Sequence, residues 1–257
     1  MNTQPLFEKV AVIGLGLIGS SLCHVMKREG LAGSIAGSAR TKKTLDTALG
    51  IGFINTGHDT ARAAAEGADL IVLAAPVGAN STLAKQIAPS LKKGAIITDV
   101  GSVKVSVIRD VQPHLPDGVH LVPGHPVAGT EYSGPESGFA ELFENRYCIL
   151  TPPDGVDQNA VEKIQQLWKA ANSIVELMDA DHHDRVLAIT SHLPHLIAYT
   201  IVGTANDLEG QLREKKAEGK IKIKTADVIK YSAGGFRDFT RIAASDPVMW
   251  RDIFFNN

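Results

Sequence analysis

Short, nearly continuous apolar runs alternate with helix-like stretches along the first part of the chain. KVAVIG (9–14) is β-branched and closes on glycine; a helical stretch follows to about Arg28, then SIAGSA (34–39). ADLIVLAAP (68–76) and GAIITDVGS (94–102) come next, and HLVPGHP (120–126), RYCILTPP (146–153) and IVELMD (174–179) read as later strands. The helix EKIQQLWKAAN precedes the last of these. Strands apolar on both faces, separated by helices, pack as a parallel sheet covered on two sides. The pattern predicts a doubly wound α/β domain over 1–179. After Asp179 the texture changes: HHDRVLAITSHLPHLIAYTIVGTANDL and DVIKYSAGGFRDFTRIAASDPVMWRDIFFNN carry apolar positions every three to four residues and no strand runs. That spacing predicts an all-helical domain over 180–257. Inside it, the charged and core-poor segment 209–225 is expected to be a solvated loop or frayed helix without a binding role.

Composition narrows the class. Of 257 residues, 44% are hydrophobic and 21% charged, which is ordinary for a folded protein and too apolar for a disordered one. Lys and Arg number 26 against 28 Asp and Glu, so a net charge of −2 gives no field for nucleic acid or an anionic membrane. Cys23 and Cys148 are too few for a disulfide framework. No apolar run approaches the roughly 20 residues that span a bilayer, and MNTQPLFEK has no basic region followed by an apolar core. A cytoplasmic enzyme or binding protein is expected, without nucleic-acid or membrane partners.

The first strand runs directly into Gly14-Leu15-Gly16-Leu17-Ile18-Gly19, which opens the first helix. Gly14 permits the tight turn, Gly16 lets the backbone approach a pyrophosphate, and Gly19 lets helix and strand pack closely. The helix N-terminus, with Leu17 and Ile18 in its first turn, offers free N–H groups and a positive dipole end. In this strand–turn–helix setting the glycines point to a dinucleotide. The end of the second strand, where a ribose-binding acid usually stands, reads Gly37-Ser38-Ala39-Arg40-Thr41-Lys42-Lys43 with no carboxylate. Ser38, Arg40 and Lys42 suit a 2′-phosphate, which favours NADP over NAD. Pro76, ending the 68–76 strand, is expected on the nicotinamide side.

Four further clusters fall where they could face that crevice. Asp99-Val100-Gly101-Ser102-Val103-Lys104 ends a strand with a hydroxyl and a cation that suit an anionic substrate. Gly124-His125-Pro126-Val127-Ala128-Gly129-Thr130-Glu131 presents a histidine between glycine and proline. His192 and His195, three apart in SHLPH, share a helix face, yet no Cys or acid is paired with them, so no metal is expected. In Gly234-Gly235-Phe236-Arg237-Asp238-Phe239-Thr240-Arg241, arginine suits a bidentate carboxylate.

Taken in order from about residue 9 to the last, GLGLIGSSL, DVGSVK, GHPVAGTE, HHDRVLAITSHLPH, GFRDFTRIA and DPVMWRDI resemble the prephenate/arogenate dehydrogenases of tyrosine biosynthesis. The resemblance implies a doubly wound Rossmann-type parallel-sheet domain followed by an all-helical dimerisation domain, and a homodimer. It implies that NADP or NAD takes hydride from C4 of prephenate or arogenate while the ring carboxylate leaves as CO2. It assigns acceptance of the 4-OH proton to His125 and a contact near the 4-OH or nicotinamide to Ser102. Lys104 would help hold the substrate, His195 and His192 would line its pocket, and Arg241 would bind a substrate carboxylate with Asp238 nearby. Glu131 and Trp250 match positions near the pocket mouth. His183 and Asp184 match too, and a role in starting a helix explains them equally well.

The missing acid after the second strand, the long 209–225 segment and an end inside a helical pattern depart from the family. The last implies that further dimer-completing helices are absent, with no chorismate mutase segment before Lys9 and no regulatory domain following. Two rival readings are another β-hydroxyacid-type dehydrogenase and a dinucleotide-sensing protein without turnover. The first relies on a catalytic lysine where this chain has His192 and His195; the second has little use for His125, His195 and Arg241 together.

Overall fold

In the computed structural model, which describes residues 4–130, 132–217 and 233–257, the run Phe7–Ile13 forms β1, buried from Val10 to Ile13. The glycine turn leads into α1 (Leu17–Arg28), followed by β2 (Ala32–Ser38), α2 (Lys42–Ile51) and β3 (Thr56–His58). After α3 (Ala61–Ala65) come β4 (Leu70–Leu73), α4 (Asn80–Ile87), β5 (Ile96–Asp99), α5 (Val105–Val111) and β6 (His120–Leu121). These six strands lie in the order β3-β2-β1-β4-β5-β6 with every pair parallel. Chain order reverses about β1, and in open α/β sheets the crevice at that reversal is where ligands bind. Val10, Val12, Ile35, Leu70 and Val72 from the strands pack with Leu22, Val25 and Met26 from α1 in one core.

The predicted strands fall into place with one addition and one correction. β3 carried no pattern because TGH is polar and half or fully exposed, as a short edge strand tolerates. The run 120–126, read as one strand, is two. β6 ends after Val122 donates to the Ile97 carbonyl (2.8 Å), and Pro123 has no N–H to continue the ladder. β7 (Gly124–Pro126) then pairs antiparallel with β8 (Tyr147–Leu150), and β8 pairs parallel with β9 (Ile174–Leu177). The last strands therefore make a separate three-stranded sheet and do not extend the parallel one. Between β8 and β9 lies α6 (Gln158–Ala170), capped by the Asp157 carboxylate, which accepts from Asn159 N (2.7 Å) and Ala160 N (3.3 Å). Its buried face, Ala160, Val161, Ile164, Leu167 and Trp168, follows helical spacing, and Trp168 meets Phe143 edge to face at 5.1 Å.

Residues up to Arg185, together with 255–257, form one compact unit and 186–254 a second. The second is helical. α7 (Ala180–Leu187) passes through a π-turn at Ala188–His192 into α8 (Leu193–Ala217). Pro194 explains the widened turn: it has no N–H for the carbonyl four residues back, and its ring crowds that carbonyl. A helix over Gly234–Thr240, a 3₁₀ turn at Arg241–Ala244 and a helix over Pro247–Asn256 complete the described residues. The 209–225 segment continues α8 as far as Ala217; its remainder, to residue 225, lies outside the described residues.

One compositional expectation is corrected here. The helical stretch Ala180–Leu208 contains an 18-residue window of mean hydropathy 1.4, long and apolar enough by length and composition to cross a membrane. Reading the sequence run by run missed it, because His, Ser and Thr break up the apolar runs while the window average stays high.

Two 3₁₀ turns, Pro135–Ser137 and Ala140–Phe143, lie against α1. Phe139 N donates to Ser21 Oγ (3.1 Å), and Arg28 pairs with Glu141 (3.1 Å) and Glu144 (3.2 Å). Gly138 sits so close that a Cβ there would overlap the Ser20 hydroxyl. Gly138→Ala is expected to destabilise the protein by about 1–3 kcal/mol, the usual effect of overfilling a packed contact. An unchanged urea-unfolding midpoint would contradict that packing.

Candidate active site

The glycine turn is built as a phosphate cradle. Gly14 has φ +104°, and a Cβ there would overlap the Ala74 carbonyl of the neighbouring strand end. A Cβ on Gly19 would overlap the Gly14 carbonyl, so α1 starts directly against the turn. Gly16 differs: it is the N-cap of α1, no side chain caps the helix there, no acid lies in the first turn, and a Cβ would meet nothing within 4 Å. Uncapped N–H groups of Leu17 and Ile18 beside open space fit an anion such as a dinucleotide pyrophosphate. At the end of β2, Ser38 is buried, and its carbonyl accepts from Gly14 N (2.9 Å). Arg40 and Lys42 stand exposed on the following turn, where Thr41 caps α2 by accepting from Thr44 N (3.2 Å). Pro76 is exposed just past β4.

The second feature lies along the same edge of the sheet. Ile13 is level with Leu73, and Leu73 with Asp99. Two strand spacings of about 4.8 Å set the end of β5 roughly 10 Å from the end of β1. Asp99, 1% exposed, accepts from Lys104 Nζ (2.6 Å) and Gly101 N (2.8 Å) through Oδ2 and from Gly124 N (3.1 Å) through Oδ1. Lys104 also donates from Nζ to the Gly124 carbonyl (2.5 Å) and is wholly buried. Burial pushes the Asp99 carboxyl up and the Lys104 ammonium down; their mutual attraction opposes both shifts, and the Gly101 and Gly124 amides oppose that of Asp99.

This pair aims β7, and with it His125. His125 is 6% exposed, and its Nδ1 lies 2.8 Å from Nε2 of His183, which is 0% exposed. His183 Nδ1 lies 2.7 Å from Asp184 Oδ1. Asp184 in turn accepts from Lys104 N (2.8 Å) and Val105 N (2.9 Å). Burial raises the Asp184 carboxyl, but the hydrogen bonds from His183 and from these two amides outweigh it and hold it below the usual range. Burial also pushes the Cys23 and Cys148 thiols up, so neither offers a thiolate nucleophile.

In the helical unit, His195 stacks on Trp250 with centroids 3.7 Å apart, and His192, 5% exposed, meets the same indole edge-on at 6.1 Å. His195 Nδ1 donates to the Ser191 carbonyl (2.9 Å), which puts the imidazole lone pair on Nε2. Burial lowers the His195 pKa against a smaller opposite effect of that bond, favouring the neutral ring. Asp238 and Arg241 are exposed, on the Gly234–Thr240 helix and at the start of the next turn. Among the described residues no three His, Cys, Asp or Glu side chains gather to hold a metal.

The structure thus gathers His125, Lys104, His183 and Asp184 in the first unit, and His192, His195 and Trp250 in the second. Ser102 is half-buried in the loop after β5. Glu131 lies outside the described residues. Lys104, expected to help hold the substrate, is buried and gives two of its ammonium hydrogens to Asp99 and the Gly124 carbonyl, a placement that fits a structural ion. His183 and Asp184, which a helix start explained as well as any chemistry, stand directly behind His125. Their sequence signal was present in HHDRV, but its partner is 58 residues away.

The chain was compared with known proteins. Models of the prephenate dehydrogenase nucleotide-binding domain and dimerization domain match residues 22–177 and 179–257. The chain is 41% identical over 252 residues to cyclohexadienyl dehydrogenase of Zymomonas mobilis, covering 98% of this chain and 82% of that protein. To prephenate dehydrogenase of Bacillus subtilis it is 34% identical over 251 residues, 97% of this chain and 64% of that one. Among solved structures, prephenate dehydrogenase from A. aeolicus in complex with hydroxyphenyl propionate and NAD+ superposes with a TM-score of 0.85 at 34% identity, over 96% of this chain and 82% of that one.

Lys104→Met leaves the Asp99 carboxylate buried without a counter-ion and is expected to cost about 3–5 kcal/mol of stability. Urea unfolding measures it. Unchanged stability with a raised substrate KM would return Lys104 to a substrate-binding role.

Proposed function

The chain belongs to the prephenate dehydrogenase family, and from that membership we propose that it converts prephenate to 4-hydroxyphenylpyruvate, arogenate to tyrosine, or both, with NADP or NAD as oxidant. The observation that carries the reading is the buried His125, backed by His183 and Asp184 on the strand edge that also holds the glycine cradle. Losing CO2 and hydride turns the substrate ring into an aromatic phenol, so the ring is primed. An oxidised nicotinamide supplies the hydride acceptor for C4. The protein must orient that C–H and relieve the 4-OH of its proton as a carbonyl develops. His125 takes that proton in its neutral form, and the electron pair released with CO2 restores the phenol oxygen's claim on a proton. Ser102 contacts the 4-OH or the nicotinamide region. By the family resemblance, Arg241, with Asp238 near it, would bind a substrate carboxylate, His192 and His195 would line the substrate pocket, and Glu131 and Trp250 match positions near its mouth.

Cofactor preference follows from charge. The β2–α2 turn carries Arg40 and Lys42 and no carboxylate, which supports a 2′-phosphate and hence NADP. Ser38 is the weakest of the proposed phosphate contacts, since it lies buried beneath them. We also infer a homodimer. Val186, Ile189, Leu193, Leu196 and Ile197 expose apolar surface at helical spacing within the part matching the dimerization domain, which supports self-association as the use of this hydrophobic stretch. Two free, buried cysteines suit a reducing cytoplasm.

Purified protein incubated with prephenate or arogenate and either cofactor is expected to reduce the nicotinamide, followed by its absorbance. No reduction in any combination would sink the reading. His125→Asn is expected to lower turnover by about 10²–10⁴-fold, the range for a general acid–base group, with cofactor binding intact. Wild-type activity should fall on the acid side as His125 gains its proton. Arg40→Ala is expected to weaken NADP binding while leaving NAD binding nearly unchanged; equal losses for both would remove Arg40 from the 2′-phosphate.

A further inference from the structure

The reaction needs a lone pair on one particular nitrogen of His125, and an imidazole in solution offers it on either. The groups behind His125 bear on that choice. His125 Nδ1 and His183 Nε2 share one hydrogen bond of 2.8 Å, and His183 Nδ1 and Asp184 Oδ1 share another of 2.7 Å. Asp184 Oδ1 also receives Lys104 N, and Oδ2 receives Val105 N, so the carboxylate is fixed and surrounded by donors. An ionised carboxylate only accepts, and its His183 partner must therefore carry hydrogen on Nδ1. A neutral His183 then has its lone pair on Nε2, and the hydrogen in the next bond belongs to His125 Nδ1.

We propose that His183 and Asp184 are positioning residues that hold the His125 proton on Nδ1 and so make Nε2 the atom that accepts the substrate's hydroxyl proton. The inference rests on the dehydrogenase reading above and adds which nitrogen acts and what selects it. The same chain stabilises the product of the step. When His125 Nε2 takes the proton, the ring becomes an imidazolium, and the negative charge of Asp184 lies two hydrogen bonds behind it. Among the described residues, ionisable groups reach this network from several elements. Asp184 comes from α7, Asp99 from the end of β5 and Lys104 from the loop after it; Cys148 comes from β8, its sulfur hydrogen-bonded by the His125 amide. Asp99 and Lys104 compensate each other at 2.6 Å, and Cys148 stays a thiol. Asp184 is the charge that hydrogen bonds link to His125.

A different protonation makes a different prediction. An imidazolium at His183 would donate from Nε2, reverse the hydrogen in the shared bond and leave His125 protonated on Nε2. That state carries the reverse tautomer at His125, and the imidazole nitrogen-15 signals distinguish the two.

The test compares His183→Gln and His183→Phe with the wild-type enzyme. A glutamine oxygen can stand where Nε2 stood and still accept from His125 Nδ1, but it breaks the link to Asp184; phenylalanine removes both. Turnover is expected to fall in the order wild type, Gln, Phe, with the Phe variant down by about 10²-fold or more, the scale on which a misassigned tautomer acts. Substrate KM and cofactor affinity should change little. The acid limb of the kcat/KM profile in the Gln variant should move to lower pH, because the His125 imidazolium loses the hydrogen-bonded link through which Asp184 stabilises it. Thermal unfolding of each variant checks the fold, and nitrogen-15 NMR of the wild-type imidazoles reads the tautomer without any variant. A His125 signal with hydrogen on Nδ1 and the lone pair on Nε2 supports the proposal. The reverse pattern, or a Gln variant with wild-type turnover and an unmoved acid limb, overturns it. His125→Asn separates the two levels. If it keeps turnover, the proton-acceptor reading itself fails; if it loses turnover while His183→Phe does not, only the positioning role fails.

Discussion

The ion pair between Lys104 and Asp99 is the constraint on which the site depends. Two opposite charges taken wholly out of water are tolerable only if nearly every donor and acceptor on them is used. Asp99 uses its oxygens on Lys104 Nζ, Gly101 N and Gly124 N, and Lys104 uses its ammonium on Asp99 and the Gly124 carbonyl. Satisfying those atoms joins the end of β5, the loop after it and the start of β7. The backbone of Lys104 and Val105 then reaches Asp184, which brings in α7 as well. His125 follows Gly124 directly, so its position is fixed by this network. The pair contributes orientation, since an apolar replacement could hold the segments together but could not set their rotation.

A second consequence concerns charge. The expected substrates are anions and the cofactor carries a pyrophosphate, yet the chain as a whole bears a net charge of −2. Positive potential must then be local. With Lys104 neutralised by Asp99, it comes from the uncapped α1 N-terminus at Gly16 and from exposed cations such as Arg40, Lys42 and Arg241. The first needs no side chain at all, which is why a glycine holds the N-cap where Ser, Thr or Asp would otherwise be favoured.

Local signals were the ones legible in the sequence. The β-branched strand runs, the glycine turn at 14–19 and the change to helical spacing after Asp179 all depend on neighbours within a few residues. The short polar β3 had no such signal, and the single run 120–126 concealed a change of sheet at Pro123. His125 stood out because glycine and proline flank it. Lys104 stood out for the wrong reason: a lysine after a strand reads as an exposed cation unless its buried counter-ion is known. The hydrophobic stretch at 180–208 was hidden by the histidines and threonines that interrupt it.

By itself, the sequence determined the strand–turn–helix cradle, the parallel sheet class and the family to which the motifs point, because backbone periodicity and short motifs are encoded by residues close together in the chain. Only the tertiary structure decided that Lys104 faces inward to Asp99, and that His183 and Asp184 stand behind His125. The bonds from His125 to His183 and from the Lys104 amide to Asp184 join residues 58 and 80 positions apart, and even Asp99, close to Lys104 in the chain, carries no local sign that the pair is buried. Whether a side chain meets water or a buried partner is settled by what the fold brings against it, and no local pattern records that partner.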